Sequence, residues 1–453
     1  MATRSRTTIL SRDKQGARFW LGYVIWQIAA HLLLPIVLLY LLIRARREPG
    51  YRQGLACRFG FVPRVTPGSI WIFAASAGET KAVGPVIDRL LSEGHSVTLT
   101  HSTPAGLETA QRLFGDDARI TSHYAPMDLF WAVRLFLARI QPAVLVVVEI
   151  ELWPAMLIET ARRSIPLAHV NGNLVERSIL RDRARTGGAR LALYRLFDVI
   201  CTKTDDFADR FRAIGVDSEK IRVVGELKFD QPVNAIQSSA AKRICSQWAT
   251  ESSRLVLTIA SSVEGEEPAF RDLITALRQL DSAARIVWVP RSPGRFNAVA
   301  DLCIAQGWTC ARRSTSLDKD LGGTLLDDCD ILIGDSLGEM DFYLGLANLV
   351  VVGASLVDHG GHNIMEPLAQ GKPVLMGPSI FGIRFAADAA SAAGAFQSLP
   401  NAAALTARCA ALLSSPAELA EMTAAARAFT IHHTGAADLT VTALRPFLPD
   451  LAS

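Results

Sequence analysis

The chain has 453 residues, which at roughly 150 residues per domain makes room for two or three domains with substantial cores and excludes a disordered or fibrous polypeptide. Lysine plus arginine number 47 and aspartate plus glutamate 44, a formal charge of +3, too weak a surplus for a general nucleic-acid binder. Hydrophobic residues make up 50% and mean hydropathy is +0.23, more apolar than a typical soluble enzyme, which points to contact with a membrane.

The apolar excess is local. Residues 19–43 contain no Asp, Glu, Lys or Arg, while Arg12, Lys14 and Arg18 precede the run and Arg44, Arg46 and Arg47 follow it. As a helix, this run can cross about 30 Å of hydrocarbon. It is too long for a signal-peptide core and has no small-residue cleavage site, so a retained anchor is expected. Cations on both flanks, and Gln27, His31 and Pro35 inside the run, leave a span and an in-plane anchor both open. The α/β pattern begins only later, so the remainder is expected to fold without this segment. The seven cysteines form neither CxxC pairs nor a Cys/His cluster and read as reduced thiols of a cytoplasmic domain.

After Tyr51, short β-branched or apolar runs alternate with helical patterns. Strands are expected at 69–74, 96–100, 143–148, 167–171, 199–202 and 221–224, with helices beginning after Gly78, Thr103, Asp128, Pro154 and Asp205. A second series of strands is expected at 254–260, 285–289, 330–334, 349–352 and 373–376. This pattern is that of two α/β domains with parallel sheets. The polar stretch 225–239 reads as the linker between them, and an Ala-rich helical tail follows Pro416. The expected divisions are an anchor at 1–48, a first domain at 49–230, a second at 231–420 and a tail at 421–453.

Ligands of open α/β sheets bind at the carboxyl ends of strands, and the chemically informative residues fall there. The first strand runs into Ser76-Ala77-Gly78-Glu79, which sets a carboxylate at a strand-to-helix turn, either as a helix-terminal acid or as a base. The third ends in Glu149-Ile150-Glu151-Leu152-Trp153-Pro154; two acids after a valine run are costly inside a sheet and must face a cleft or a partner. In the second series, Gly334-Asp335-Ser336-Leu337-Gly338-Glu339 forms one potential phosphate or sugar cradle. Gly353-Ala354-Ser355-Leu356, followed by Gly360-Gly361-His362-Asn363 and Glu366, forms another. Asn363 and Glu366 also have capping-box spacing. There is no P-loop, GxGxxG or GxSxG. Asp327, Asp328 and Asp330 are weak metal candidates before a strand, and His359 with His362 lacks further ligands, so no metal or other cofactor is expected.

These motifs together resemble one family, the 3-deoxy-D-manno-oct-2-ulosonic acid (Kdo) transferases that decorate the lipid A precursor of Gram-negative bacteria. The resemblance covers nearly the whole chain and rests on the anchor, Arg58-Phe59-Gly60, Ala75 through Glu79, Glu149 through Pro154, Arg177-Ser178 and Gly225-Glu226-Leu227-Lys228-Phe229-Asp230. It continues through Gly265-Glu266-Glu267, Pro290-Arg291, Arg295-Phe296, Gly338-Glu339, Gly360 through Asn363, Glu366-Pro367 and Gly377-Pro378. It implies a GT-B fold, two Rossmann-like domains facing a cleft. The N-terminal domain would bind the acceptor and the C-terminal one the donor, CMP-Kdo, with an inner-membrane anchor and the catalytic face in the cytoplasm. It also implies that Glu79 is the base of an inverting displacement.

On this reading Arg291, Gly338, Glu339, Gly353, Ser355, Gly361, Asn363 and Glu366 belong to the donor side. The N–H groups of residues 353–356 and the helix beginning at Asn363 would meet the phosphate, and Glu366 the ribose. Ser76, Lys81, Glu149, Arg177 and Lys228 belong to the acceptor side, the cations facing an acidic sugar or a phosphorylated lipid. The chain departs from the family pattern at Asn173, Val175, Glu226, Val263, Ser292, Ser379 and Arg384. The alternatives are a divergent relative that moves another activated sugar to another lipid, and an inactive nucleotide- or lipid-binding protein; an intact Glu79 speaks against the latter.

Overall fold

The computed structural model describes residues 12–248, 255–325 and 329–450; Arg254, Asp327 and Asp328 of the sequence reading lie outside them. Two compact units are present, one formed by Met1–Gln231 with Thr434–Ser453, the other by Pro232–His433.

The first unit is built on a seven-stranded sheet, β1 (Ile70–Phe73), β2 (Val97–His101), β3 (Ile120–Tyr124), β4 (Val144–Val148), β5 (Leu167–Gly172), β6 (Val199–Thr202) and β7 (Ile221–Val223), in the order β3-β2-β1-β4-β5-β6-β7. The second holds β8 (Val256–Ser262), β9 (Arg285–Pro290), β10 (Cys310–Arg312), β11 (Ile331–Ile333), β12 (Leu349–Val352), β13 (Val374–Met376) and β14 (Phe396–Ser398), ordered β10-β11-β9-β8-β12-β13-β14. Every pairing is parallel. Side chains alternate between faces, and helices cover both, which is why the central strands are continuous apolar runs. In β1 and β4, Trp71, Phe73, Leu145 and Val147 enter one core while Ile70, Ile72, Val144 and Val146 enter the other. Strand order reverses between β1 and β4 in the first unit and between β8 and β12 in the second, and in sheets of this type the reversal leaves a crevice at the strand ends.

The end of the chain is shared between the units. The Pro416–His433 helix belongs to the second, whereas Ala436–Leu444 packs Ala437, Val441 and Leu444 into the first. Its first turn is held by the Asp230 carboxylate, which accepts from Gly435 N at 2.7 Å and Ala437 N at 2.6 Å. All seven cysteines are free thiols.

Helix α1 (Arg12–Arg44) breaks at Gly16 (φ 72°), and Gly16–Arg44 is long and apolar enough to cross a membrane by length and composition. It does not stand apart. Phe19, Tyr23, Gln27 and Leu41 form a buried strip, and Phe19 and Tyr23 share a core with Trp71 and Leu157. Polar contacts fix the helix further. Tyr23 donates to Glu159 Oε1 at 3.1 Å, Trp26 Nε1 to Asp128 Oδ2 at 2.6 Å, and Gln27 Nε2 to the Asp128 carbonyl at 3.0 Å, while Phe130 N donates to Gln27 Oε1 at 2.9 Å. The expectation that the α/β core is complete without this segment is therefore corrected: the segment supplies core side chains and satisfies a buried carboxylate. Burial pushes the Asp128 carboxyl up to about 6 despite its hydrogen bonds from Met156 N, Ala155 N and Trp26. Trp26→Phe removes one of those donors, and the expected result is a loss of about 1–3 kcal/mol of stability, measured by thermal unfolding of the full chain. An unchanged midpoint would show that the docking is energetically idle.

Candidate active site

At the carboxyl end of β1 the chain turns at Ser76 into the Ala77–Ser92 helix, and Glu79 is its third residue. The turn is a capping box: Ser76 Oγ accepts from Glu79 N at 3.3 Å, and Glu79 Oε2 accepts from Ala75 N at 2.5 Å and Ser76 N at 3.2 Å. Glu79 Oε1 takes no hydrogen bond from the described residues. Cap and base are thus compatible roles, one for each oxygen. Burial, then the charges of Glu149 and Glu151, push the Glu79 carboxyl up to about 7, against the pull of the two N–H groups. A group poised there exchanges a proton readily at neutral pH.

Glu149 follows β4, on the other side of the strand reversal. Its φ is 59°, a left-handed backbone rare for a side chain with a Cβ, and three neighbours hold it there. Glu149 N donates to Val170 O at 3.0 Å, His169 Nε2 meets the Glu149 carbonyl, and Asn171 Nδ2 donates to Glu149 Oε1 at 3.2 Å. Asn171 is itself left-handed (φ 55°) and accepts from Leu227 N at 3.4 Å, and Lys228 Nζ lies 3.5 Å from Glu149 Oε1. Glu151 accepts from Trp153 Nε1 at 2.6 Å. A buried ion pair, Lys203 to Glu226 at 2.7 Å, fixes the start of the Leu227–Asp230 turn that carries Lys228.

Of the acceptor-side residues expected from sequence, the structure brings Ser76, Glu149 and Lys228 together with Glu79. Lys81 and Arg177 are exposed, and neither makes a hydrogen bond or ion pair with the described residues. Asn171 and Lys203 were given no role by the sequence reading; a polar residue at the end of a strand is the signal that points to each.

In the second unit one residue reorganises the picture. Glu266, fully buried after β8, accepts from Val263 N at 3.0 Å, Ala354 N at 2.8 Å, Ser355 N at 2.9 Å and Leu356 N at 3.0 Å. The backbone donors of the loop after β12, expected from sequence to meet a donor phosphate, are already occupied by a carboxylate. Gly353 is needed because a Cβ there would lie 2.6 Å from Ser262 Cα and 2.8 Å from Glu266 Oε2. Ser355 is fully buried, its hydroxyl donating to Val352 O at 2.8 Å and accepting from Gly377 N at 2.9 Å. Both residues build the loop.

The helix expected to begin at Asn363 is Met365–Ala369, and Asn363 Oδ1 accepts from Met365 N at 3.0 Å, two residues on, a shorter contact than a capping box makes. Gly360 and Gly361 are left-handed (φ 83° and 81°), and Ser379 Oγ accepts from Gly360 N at 2.9 Å. Burial, then the charge of the exposed Arg291, lowers the His362 pKa, and His362 Nε2 is buried without a hydrogen-bond partner among the described residues. Glu339 is held by a two-pronged contact from Arg313, Nε at 2.6 Å and Nη2 at 2.5 Å, whereas Gly338 (φ 81°) is exposed at the same turn. Asp335 pairs with Arg312 at 2.7 Å, and Asp330 with Arg278 at 2.7 Å. Among the described residues, no three His, Cys, Asp or Glu side chains converge as a metal site.

Three departures from the family pattern have visible consequences. Ser379 caps the Gly360 loop, Glu226 forms the buried ion pair with Lys203, and Asn173 Oδ1 is buried and takes no hydrogen bond from the described residues. Val263 meets Glu266 through its backbone, its N–H donating to Oε2 at 3.0 Å and its carbonyl accepting from Glu266 N at 3.3 Å.

A family model described as 3-deoxy-D-manno-octulosonic-acid transferase (kdotransferase) matches residues 53–231. A 3-deoxy-D-manno-octulosonic acid transferase of Bordetella pertussis is 34% identical over 439 residues, 94% of this chain and 100% of that one. The same-named protein of Haemophilus influenzae is 32% identical over 357 residues, 77% of this chain and 80% of that one. Among solved structures, a UDP-GlcNAc 2-epimerase from Neisseria meningitidis superposes with a TM-score of 0.58 at 15% identity, covering 84% of this chain and 100% of its own. A glycosyltransferase from Rickettsia africae does so with 0.54 at 13%, covering 84% and 98%. At those identities the likeness is one of fold, two α/β units of GT-B type.

Proposed function

Since the chain belongs to the 3-deoxy-D-manno-octulosonic acid (Kdo) transferase family, we propose that it transfers Kdo from CMP-Kdo to a hydroxyl of the lipid A precursor with inversion, Glu79 acting as base. The observation that carries this reading is Glu79 itself: one oxygen anchored by the turn, the other unclaimed, and a carboxyl poised at about 7. Glu79 Oε1 takes the proton of the acceptor hydroxyl as that oxygen bonds to the anomeric carbon; the bond to the phosphate oxygen breaks and CMP leaves with its electron pair. Ser76 and Glu149 line the acceptor side, with Lys228, Lys81 and Arg177 as cations for an acidic sugar or a lipid phosphate.

On the donor side, Arg291 and the Gly361, Asn363 and Glu366 loop receive CMP, Arg291 facing the phosphate charge and Glu366 the ribose. Gly338 and Glu339 form the neighbouring cradle of that reading, Glu339 positioned by Arg313. Gly353 and Ser355 serve by shaping the loop, because its N–H groups belong to Glu266.

The membrane enters through α1. Its docked strip lies against Asp128 and Glu159, which a helix threading the bilayer would have to carry into hydrocarbon, at high cost. Its other side exposes Leu21, Ile25, Leu32, Ile36 and Leu39. We place α1 in the plane of the inner membrane's cytoplasmic surface, with both units in the cytoplasm.

Full-length protein incubated with CMP-Kdo and lipid A precursor should yield a lipid heavier by one or more Kdo residues in mass spectrometry, with EDTA leaving the yield unchanged. Absence of product, with tight binding of a nucleotide other than CMP, would overturn the donor assignment; loss on chelation restored by magnesium would overturn metal independence.

A further inference from the structure

Beside α1, within the first unit, lies a cavity of about 590 Å³, inside the roughly 300–1,000 Å³ range of small-molecule sites. Small residues of α1 and of the segment after Thr186 form part of its wall. A Cβ at Gly22 would lie 3.5 Å from Ala189 Cβ, and Ala29 is the next small residue along α1 that lines the space. Leu21 and Ile25 line it too and are 60% and 57% exposed, so the cavity opens onto the apolar side of α1 that we lay on the membrane.

The polar end is cationic. Arg18, Arg185 and Arg190 line the cavity, all exposed, and none shares an ion pair with a carboxylate among the described residues. A guanidinium fork suits a phosphate. The inner wall leads to the proposed reaction centre. Leu152 and Pro154, which line it, flank Trp153, whose ring meets Phe73 edge-on at 5.3 Å and whose Nε1 donates to Glu151, one of the two carboxylates that raise the Glu79 pKa. An apolar hollow that opens along α1, carries three exposed arginines in its lining and borders Trp153 has the chemistry of a phosphorylated, acylated lipid.

We propose that this cavity holds one acyl chain of the acceptor lipid, with a phosphate of that lipid on Arg18, Arg185 and Arg190. This rests on the function proposed above. Ala189→Trp, and independently Ala29→Trp, fill the cavity. Each should lower the preference for acylated over fully deacylated acceptor, taken as the ratio of the two kcat/KM values, at least tenfold, mainly through KM. An unchanged ratio in variants with wild-type melting would overturn the proposal while leaving the transfer reading intact.

A second readout does not depend on turnover. An acceptor analogue with a photoreactive acyl chain should label residues 18–29 or 185–193 of the full-length protein. Excess acceptor lipid should suppress the label and phosphatidylglycerol vesicles should not. Labelling elsewhere, or equal suppression by phosphatidylglycerol, which would mark a site for bulk membrane lipid, overturns the assignment. If the wild type transfers nothing yet this competed labelling persists, the transfer reading fails and the lipid site stands.

Discussion

Glu79→Gln should lower turnover by about 10²-fold or more while leaving CMP binding and the fold nearly intact. The amide oxygen can still accept from Ala75 N and Ser76 N, so the capping turn survives, but nothing remains to take the acceptor proton. The pH profile gives an independent check. With the carboxyl at about 7, the competent carboxylate form grows as pH rises, so kcat/KM of the wild type should climb through a limb centred near 7, and Glu79→Gln should lose that limb. Stability runs the other way. Above the ordinary carboxylate range and up to about pH 7, the folded protein holds the Glu79 proton more tightly than the unfolded chain does, so stability is lost as pH rises through that window. Glu79→Gln should therefore melt no lower than wild type above pH 7. Near-normal turnover, or an unshifted profile, would reduce Glu79 to a cap.

The second large effect is expected at Glu266. Glu266→Ala strips four N–H groups of their acceptor, those of Ala354 and Ser355 buried and those of Val263 and Leu356 half-buried, an expected loss on the order of 4 kcal/mol. Glu266→Gln is no mild change either, because each carboxylate oxygen accepts from two N–H groups and an amide NH₂ would turn donors against donors. Hydrogen exchange should quicken at residues 353–356 in both variants, and calorimetry should show CMP affinity at least tenfold weaker. Wild-type exchange at those amides would show that the loop does not depend on the carboxylate.

Glu266 also marks the limit of what the sequence disclosed. Glycines after β12 announce backbone donors, but the expectation that they stand free for a phosphate fails, because Glu266 takes those of Ala354, Ser355 and Leu356. What fills them comes from a loop almost ninety residues earlier in the chain, brought in by the β8–β12 pairing, and no local spacing encodes it. Glu79 was legible because its capping partner and its strand are both local. The lifted pKa was not, since burial, its main cause, exists only in the folded site, and Glu149 and Glu151 reach it only through the β1–β4 pairing.

The same division holds for the fold. Central strands, buried on both faces, are long β-branched runs and were located from the sequence within a few residues. The strands that went unread are β3, β10 and β14, all at sheet edges, where Ile120 to Ser122 are only half-buried and Cys310–Arg312 and Phe396–Ser398 have three residues each. An edge strand buries less, so composition marks it less. For α1, hydropathy announced the exposed apolar side, while Gln27, which interrupts the apolar run, is the hydrogen-bonded seam to Asp128 and Phe130.

The Ala436–Leu444 helix gives the protein an order of assembly on the ribosome. Residues 232–433 form an uninterrupted stretch and hold everything their own sheet requires, so that unit depends on no later residue to fold. The unit that begins synthesis must wait: the surface beside Val224 and Leu227, and the Asp230 carboxylate, have no cover until residues 435–444 have been made. A nonsense codon shortly before Thr434 would thus spare the unit being translated and cripple the one translated first. The lesion would appear as aggregation or proteolysis of the N-terminal half.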